Sequence, residues 1–222
     1  GRGGNAWLSP AGCAMFSVHV SIPLMSMLGQ RVAYVQHISS LAVVLAVRSI
    51  SGYENIDVRI KWPNDIYFGS SMKLGGVLVK SSLMLKDFHC NIGCGVNVRN
   101  KDPTICINDL VEQHNIQNKT SLSAFTTEQI VASAISQIEM LVDLFQSQGK
   151  DAFLELYYDK WLHNDMPVTI QKSDGSSVDV KIIGLDDYGY LLVESEDGTS
   201  ESVHPDGNSF DMMRNLIIPK TR

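Results

Sequence analysis

Apolar residues at Val32, Val35, Ile38, Leu41, Ala42 and Leu45 recur at the spacing of one helical face, which predicts a helix over 32–50 packed on a sheet. The stretch before it, 13–24, mixes β-branched and aromatic residues with Ser and His and reaches Pro23, which suits a strand leaving a glycine-rich opening. After the helix, Ile56, Val58 and Ile60 alternate with Asp57, Arg59 and Lys61. Pro63-Asn64-Asp65 then turns the chain into a short apolar run, Ile66-Tyr67-Phe68. Two more strands are expected at 75–79 and 88–98, the second interrupted by glycines.

The second half changes period twice. Thr126-Thr127-Glu128-Gln129 has the form of a capping box, and Ile130, Ala134, Ile138, Leu141, Val142 and Phe145 then repeat on one face, so a helix is expected to end near Gly149. Residues 152–161 read as a further helix. Beyond Asn164-Asp165-Met166-Pro167 the period is two, in runs at 168–171, 178–183, 190–193 and 202–204 separated by Gly175, Gly189 and Gly198. The expected architecture is α+β, with strands and helices mixed in residues 1–163 and a small β-barrel or sandwich in 164–222.

With 222 residues, 44% of them hydrophobic, the chain can bury one large core and one small one. A net charge of −6 leaves no electrostatic footprint for phosphate backbones, so nucleic acid is not an expected partner, although a single nucleotide can bind locally. Four cysteines do not read as a disulfide framework, and a reducing, intracellular setting is expected. Residues 3–30 carry no charged side chain, but Asn5, Pro10, Gly12, His19 and Pro23 interrupt the stretch, so no membrane span is expected. No signal peptide is visible, and Gly1 stands where a complete chain would have Met, so the sequence reads as a fragment.

Four segments carry candidate chemistry. Gly1-Arg2-Gly3-Gly4-Asn5 sets one guanidinium among glycines whose N–H groups can approach an anion; the plain alternative is a turn with a solvated Arg. Lys61-Trp62-Pro63-Asn64-Asp65 gathers a cation, an indole and two short polar side chains at a strand end; the alternative is a hairpin with Trp62 in the core. Lys73 precedes Gly75 and Gly76, where an ammonium could reach a phosphate unhindered, or be ordinary solvated surface. In Gly93-Cys94-Gly95-Val96-Asn97 the glycines could let an adenine or ribose pack on the backbone while Asn97 bonds a base edge; the segment is not a dinucleotide fingerprint. His19, His37, His89, His114, His163 and His204 show no partner spacing, and Met15, Met25, Met27 and Met84 read as core filler.

Taken in order, these segments resemble the biotin protein ligases. Gly-Arg-Gly-Gly-Asn-Ala-Trp and Lys-Trp-Pro-Asn-Asp-Ile-Tyr look most like the animal members, and Val203-His204-Pro205-Asp206-Gly207-Asn208 extends the similarity toward the end. The resemblance implies a class II synthetase-like mixed sheet with helices on one side, then a small SH3-like β-domain. It implies an ATP- and Mg²⁺-dependent ligase that makes biotinyl-5′-AMP and passes biotin to a lysine of a carboxylase's biotin-carrier domain. By position, Lys73, Arg2 and Asp65 form the catalytic set, with Asp65 handling metal or the acceptor lysine. Gly1, Gly3, Trp7, Lys61, Trp62, Asn64, Gly75, Gly76, Gly93, Gly95 and Asn97 join Arg2 and Lys73 around biotin and the adenylate. Upstream residues that hold biotin's ureido group are expected to precede Gly1. A homodimer and a cytoplasmic or mitochondrial address are within the same expectation. Two other readings remain, a lipoate-type ligase on this scaffold and a non-catalytic biotin- or nucleotide-binding module.

Overall fold

The computed structural model describes residues 8–100, 104–172, 174–205, 208–211 and 214–219; Gly1, Arg2, Gly3 and Trp7 lie outside them. The chain divides into two compact units, the second beginning at Trp161.

In the first unit the elements run β1 (Cys13–Pro23), α1 (Tyr34–Arg48), β2 (Val58–Lys61), β3 (Asp65–Phe68), β4 (Met72–Met84), β5 (Asp87–Asn97), α2 (Ile107–Asn118), α3 (Thr127–Gln148) and α4 (Lys150–Lys160). The five strands form one sheet in the order β1-β5-β4-β3-β2. All four pairings are antiparallel: short turns join β2 to β3, β3 to β4 and β4 to β5, and β1 pairs with β5 from a distance in sequence. The α+β class expected from the sequence therefore takes the form of an antiparallel sheet among the described residues.

One face of this sheet is core. Ala14, Val58, Ile60, Ile66, Val77, Ile92, Cys94 and Val96 are each 3% exposed or less. Helix α1 packs against β2, β3, β4 and β5, and α3 packs against α1 and β1. The helices lock together through an aromatic cluster: Tyr34 on α1 meets Phe145 on α3 at 5.4 Å and Phe153 on α4 at 5.9 Å between ring centroids. Beside it, His37 Nδ1 lies 3.2 Å from the Tyr157 hydroxyl in the same interior. The capping box opens α3 as its sequence requires, with Gln129 N donating to Thr126 Oγ1 and Thr126 N donating to Gln129 Oε1.

The second unit holds β6 (Pro167–Gln171), β7 (Ser177–Leu185), β8 (Leu191–Ser195), β9 (Ser200–Val203), β10 (Asn208–Asp211) and β11 (Leu216–Pro219), in the sheet order β10-β11-β6-β7-β8-β9. Its one parallel pairing among the described residues joins β11 to β6. Val168, Val180, Ile182, Leu191, Val193 and Ile217 supply its core.

Three expectations change. Helix α2 is additional to the periodic reading, since its buried apolar residues are confined to Ile107, Leu110 and Val111 in the first turns. Strands β10 and β11 are likewise additional. The methionines are not core filler: Met15, Met25, Met27 and Met84 are 52%, 84%, 49% and 59% exposed, because they sit on the open sheet face or in turns. No helix among the described residues is long and apolar enough to cross a membrane.

Phe153 is fully buried and touches Tyr34, Phe145 and Tyr157. Phe153→Ala is expected to lower unfolding free energy by about 3–5 kcal/mol, against about 1 kcal/mol for Thr126→Ala at the α3 cap, measured by urea unfolding.

Candidate functional site

The site begins at the β2–β3 hairpin, where Lys61 pairs with Asp65 across a three-residue loop. The Trp62–Pro63 peptide in that loop is cis. Asn64 fastens the loop to β4 twice: its carbonyl accepts from Val77 N at 2.8 Å and its side-chain amide donates to Val77 O at 3.1 Å. Gln36 of α1 holds the same strand, donating to Val77 O and accepting from Val79 N. Trp62 is 3% exposed, so its indole belongs to the core.

Strand register then builds a row across the sheet. Lys61 is opposite Asp65, Asp65 opposite Gly76, Gly76 opposite Gly95, and Gly95 opposite Met15. Because side chains alternate along a strand, and the neighbours Ile60, Ile66, Val77, Cys94 and Val96 face the helical core, this row occupies the other face. Two adjacent strands thus contribute only backbone at its centre. A Cβ built on Gly76 would stand 3.3 Å from Asp65 Oδ1 and 3.9 Å from Lys73 Cε, so the bare position lies beside the charged groups.

Lys73 reaches the row through a β-bulge. The β3–β4 register slips between Ile66 and Tyr67, which pairs Tyr67 with Lys73 and puts the ammonium on the open face. Lys73 Nζ lies 2.6 Å from Asp65 Oδ1, both side chains being partly exposed. Lys61 Nζ sits 5.3 Å from the Tyr67 ring centroid, a cation–π contact. Burial, and secondarily the Asp65 charge, raise the Tyr67 phenol, which stays a neutral donor at physiological pH.

The glycines differ in role. A Cβ at Gly75 would fall 2.5 Å from Gly95 O and 3.1 Å from Val96 Cα, so Gly75 permits close approach of β4 and β5. Gly93 has only Leu78 O at 3.8 Å and leaves open space. Asn97 is 2% exposed, and its side-chain amide donates to Thr104 Oγ1 at 2.8 Å and Ile105 O at 3.4 Å. Thr104 Oγ1 in turn donates to Lys73 O at 3.5 Å.

The structure therefore gathers Lys61, Asp65, Lys73, Gly76 and Gly95 on one face, with Asn64 supporting them, and sends Trp62 and Gly75 elsewhere. Tyr67, Gln36 and Thr104 are additions. Tyr67 was accessible to sequence reasoning, since it stands two positions after Asp65 on a strand and so shares its face. Cys94 offers no nucleophile here: burial pushes its thiol up to about 12, far from thiolate at neutral pH. Among the described residues no group of three or more His, Cys, Asp or Glu could hold a metal ion. What this face can do is present an ammonium, steadied by a carboxylate, over a floor of backbone to an incoming anion.

Two family models match the chain, the Biotin/lipoate A/B protein ligase family over residues 1–97 and the Biotin protein ligase C terminal domain over residues 166–213. The chain belongs to the biotin protein ligases of that family. It is 52% identical over 222 residues to the biotin--protein ligase of Homo sapiens, covering all of this chain and 30% of that protein. It is 37% identical over 241 residues to the biotin--protein ligase of Schizosaccharomyces pombe, covering all of this chain and 38% of that one. The chain thus spans about a third of the length of these relatives. The fold is that of the solved Aquifex aeolicus biotin protein ligase in complex with biotin and ATP, with a TM-score of 0.62 at 21% identity over 91% of this chain and 80% of that one.

The two glycines separate packing from binding. Gly75→Ala is expected to cost about 1–3 kcal/mol or more by forcing β4 from β5, whereas Gly76→Ala should stay within about 1 kcal/mol of the parent. Urea midpoints of the two variants check the order.

Proposed function

We propose that this chain activates biotin with ATP and transfers it to a lysine on the biotin-carrier domain of biotin-dependent carboxylases. The observation that carries the reading is the Lys73 ammonium, held 2.6 Å from Asp65 beside the side-chain-free positions Gly76 and Gly95. Family membership and the names of the human and yeast relatives support it. The match to a biotin protein ligase C terminal domain favours biotin over lipoate as the acyl group.

In the first step a biotin carboxylate oxygen attacks the α-phosphorus of ATP. The bond from that phosphorus to the bridging oxygen breaks, and pyrophosphate leaves with the electron pair. Two anions must approach each other, so the reaction needs cations between them. Lys73 is assigned to the carboxylate and α-phosphate, with Arg2 closing from the glycine-rich loop and Trp7 shielding the adenylate. In the second step the carrier's lysine amine attacks the biotinyl carbonyl, AMP leaves, and the amine loses a proton. Asp65 is assigned to orienting that amine and to steadying Lys73. Gly93, Gly95 and Asn97 are assigned to the adenosine, Asn97 exchanging its Thr104 contact for the base.

The donor set fits Mg²⁺ in one way. Asp65 is the carboxylate of the gathered face, and a Mg²⁺ ion is commonly held by one or two carboxylates together with substrate phosphates. Asp65 and the nucleotide's own phosphates would hold it, and when bound it supplies positive charge to the phosphate oxygens. We assign the chemistry to residues 1–163 and a supporting role to the β-domain, 164–222. The compartment is taken to be that of the carboxylases, cytoplasm or mitochondrion, and the active form to be a monomer or homodimer.

The test uses the full-length protein with biotin, ATP and an apo-carrier domain. Biotin should appear on the carrier lysine, and Lys73→Ala should cut biotinyl-AMP formation by roughly 10²–10³-fold with the fold intact by circular dichroism. Absence of labelling, or full adenylate formation by Lys73→Ala, would sink the assignment and leave a binding module.

A further inference from the structure

Strands β1 and β5 pair without interruption from Cys13 opposite Asn97 to Pro23 opposite Asp87. Within this ladder His19 is opposite Asn91 and His89 is opposite Ser21, so the two histidines are diagonal neighbours on one face. Their rings stack with centroids 5.3 Å apart and planes 23° from parallel. His19 Nε2 and His89 Nδ1 point at each other across 3.1 Å, at the surface. In water an exposed imidazole–imidazole hydrogen bond contributes little, since each nitrogen has solvent as an equal partner. The alignment comes from strand register.

The geometry points to a two-histidine metal site that takes a borderline divalent cation. Metal–nitrogen bonds of roughly 2.0–2.1 Å separate two imidazole ligands by about 2.9 Å at a right angle and about 3.4 Å at the tetrahedral angle. The observed 3.1 Å lies between these values, and a modest rotation of each exposed ring turns the two nitrogens from facing one another to facing a shared cation. The register positions around the pair hold Ser21, Ser82, Asn91 and Lys80. Protein ligands are therefore the two imidazoles, and water completes the shell. Such a nitrogen pair selects Cu²⁺ over Ni²⁺ and Zn²⁺ and rejects Mg²⁺ and Ca²⁺, which require oxygen donors. From His89 to Gly95 the strand advances roughly 20 Å, so the pair shares the open face with Lys73 and Asp65 but lies well away from them. Bridging β1 to β5, the cation stabilises the folded sheet by mass action.

The experiment titrates Zn²⁺ into the untagged chain by calorimetry and Cu²⁺ by electron paramagnetic resonance. One saturable equivalent with nitrogen hyperfine coupling is expected, together with a raised urea midpoint in Zn²⁺. His19→Gln and His89→Gln should each weaken binding by roughly tenfold or more, while His204→Gln, at an exposed histidine of the second unit, leaves it unchanged. No saturable binding by the parent, or binding that survives the double variant His19→Gln/His89→Gln, overturns the site.

Discussion

The register of β3, β4 and β5 is the constraint on which the candidate site depends. Because the side-chain period of a strand is two, a slip of one residue would drive Asp65, Gly76 and Gly95 toward the helices and turn Ile66, Val77 and Val96 outward. Burial of those three apolar side chains resists the slip, since each is 1% exposed or less. The core thus fixes the geometry of a polar face it does not touch. Asn64 and Gln36 add the second restraint, both bonding the β4 backbone at Val77.

The bulge between Ile66 and Tyr67 is the other half of the arrangement. Were the pairing of Ile66 with Gly75 simply continued, Tyr67 would face Leu74, and Lys73 would point the other way. With the bulge, Leu74 is fully buried while Lys73 reaches Asp65 on the open face. One extra residue in one strand therefore satisfies two demands that strict alternation sets against each other. Lys73 and Leu74 are adjacent, and each finds the environment its chemistry needs.

This accounts for what the sequence made legible. The alternation in Val58, Arg59, Ile60 and Lys61, the Pro63-Asn64-Asp65 turn and the Thr126 capping box are local signals, and each appears in the structure where its pattern places it. The orientation of Lys73 was not local: it follows from a register slip that hydrophobic period cannot express. Strand β4 also runs longer than the expected 75–79, because residues Lys80 to Met84 are exposed on both faces and carry no alternation. The diagonal approach of His19 to His89 spans 70 positions and is fixed by the β1–β5 ladder alone. Met15 shows the converse. An apolar residue near the start of a buried-looking strand reads as core, yet its odd position puts it on the open face.

The exposed Met15 and the bare Gly95 and Gly76 then make physical sense together. A floor built of backbone costs the fold packing, since glycine leaves no side chain to cover the sheet, and it spends strand propensity as well. Gly75 repays part of that cost through the close β4–β5 approach, but a Cβ at Gly76 would meet nothing closer than 3.3 Å. Packing within the sheet therefore demands glycine at Gly76 less than at Gly75, since the tight contact is with the movable Asp65 carboxylate. In the proposed reaction a planar ligand lying on that floor would bring its anionic end to Lys73 while displacing water from the Lys73–Asp65 pair. Displacement of water strengthens every charge interaction that remains. A site of this kind gains electrostatic strength as a ligand covers it.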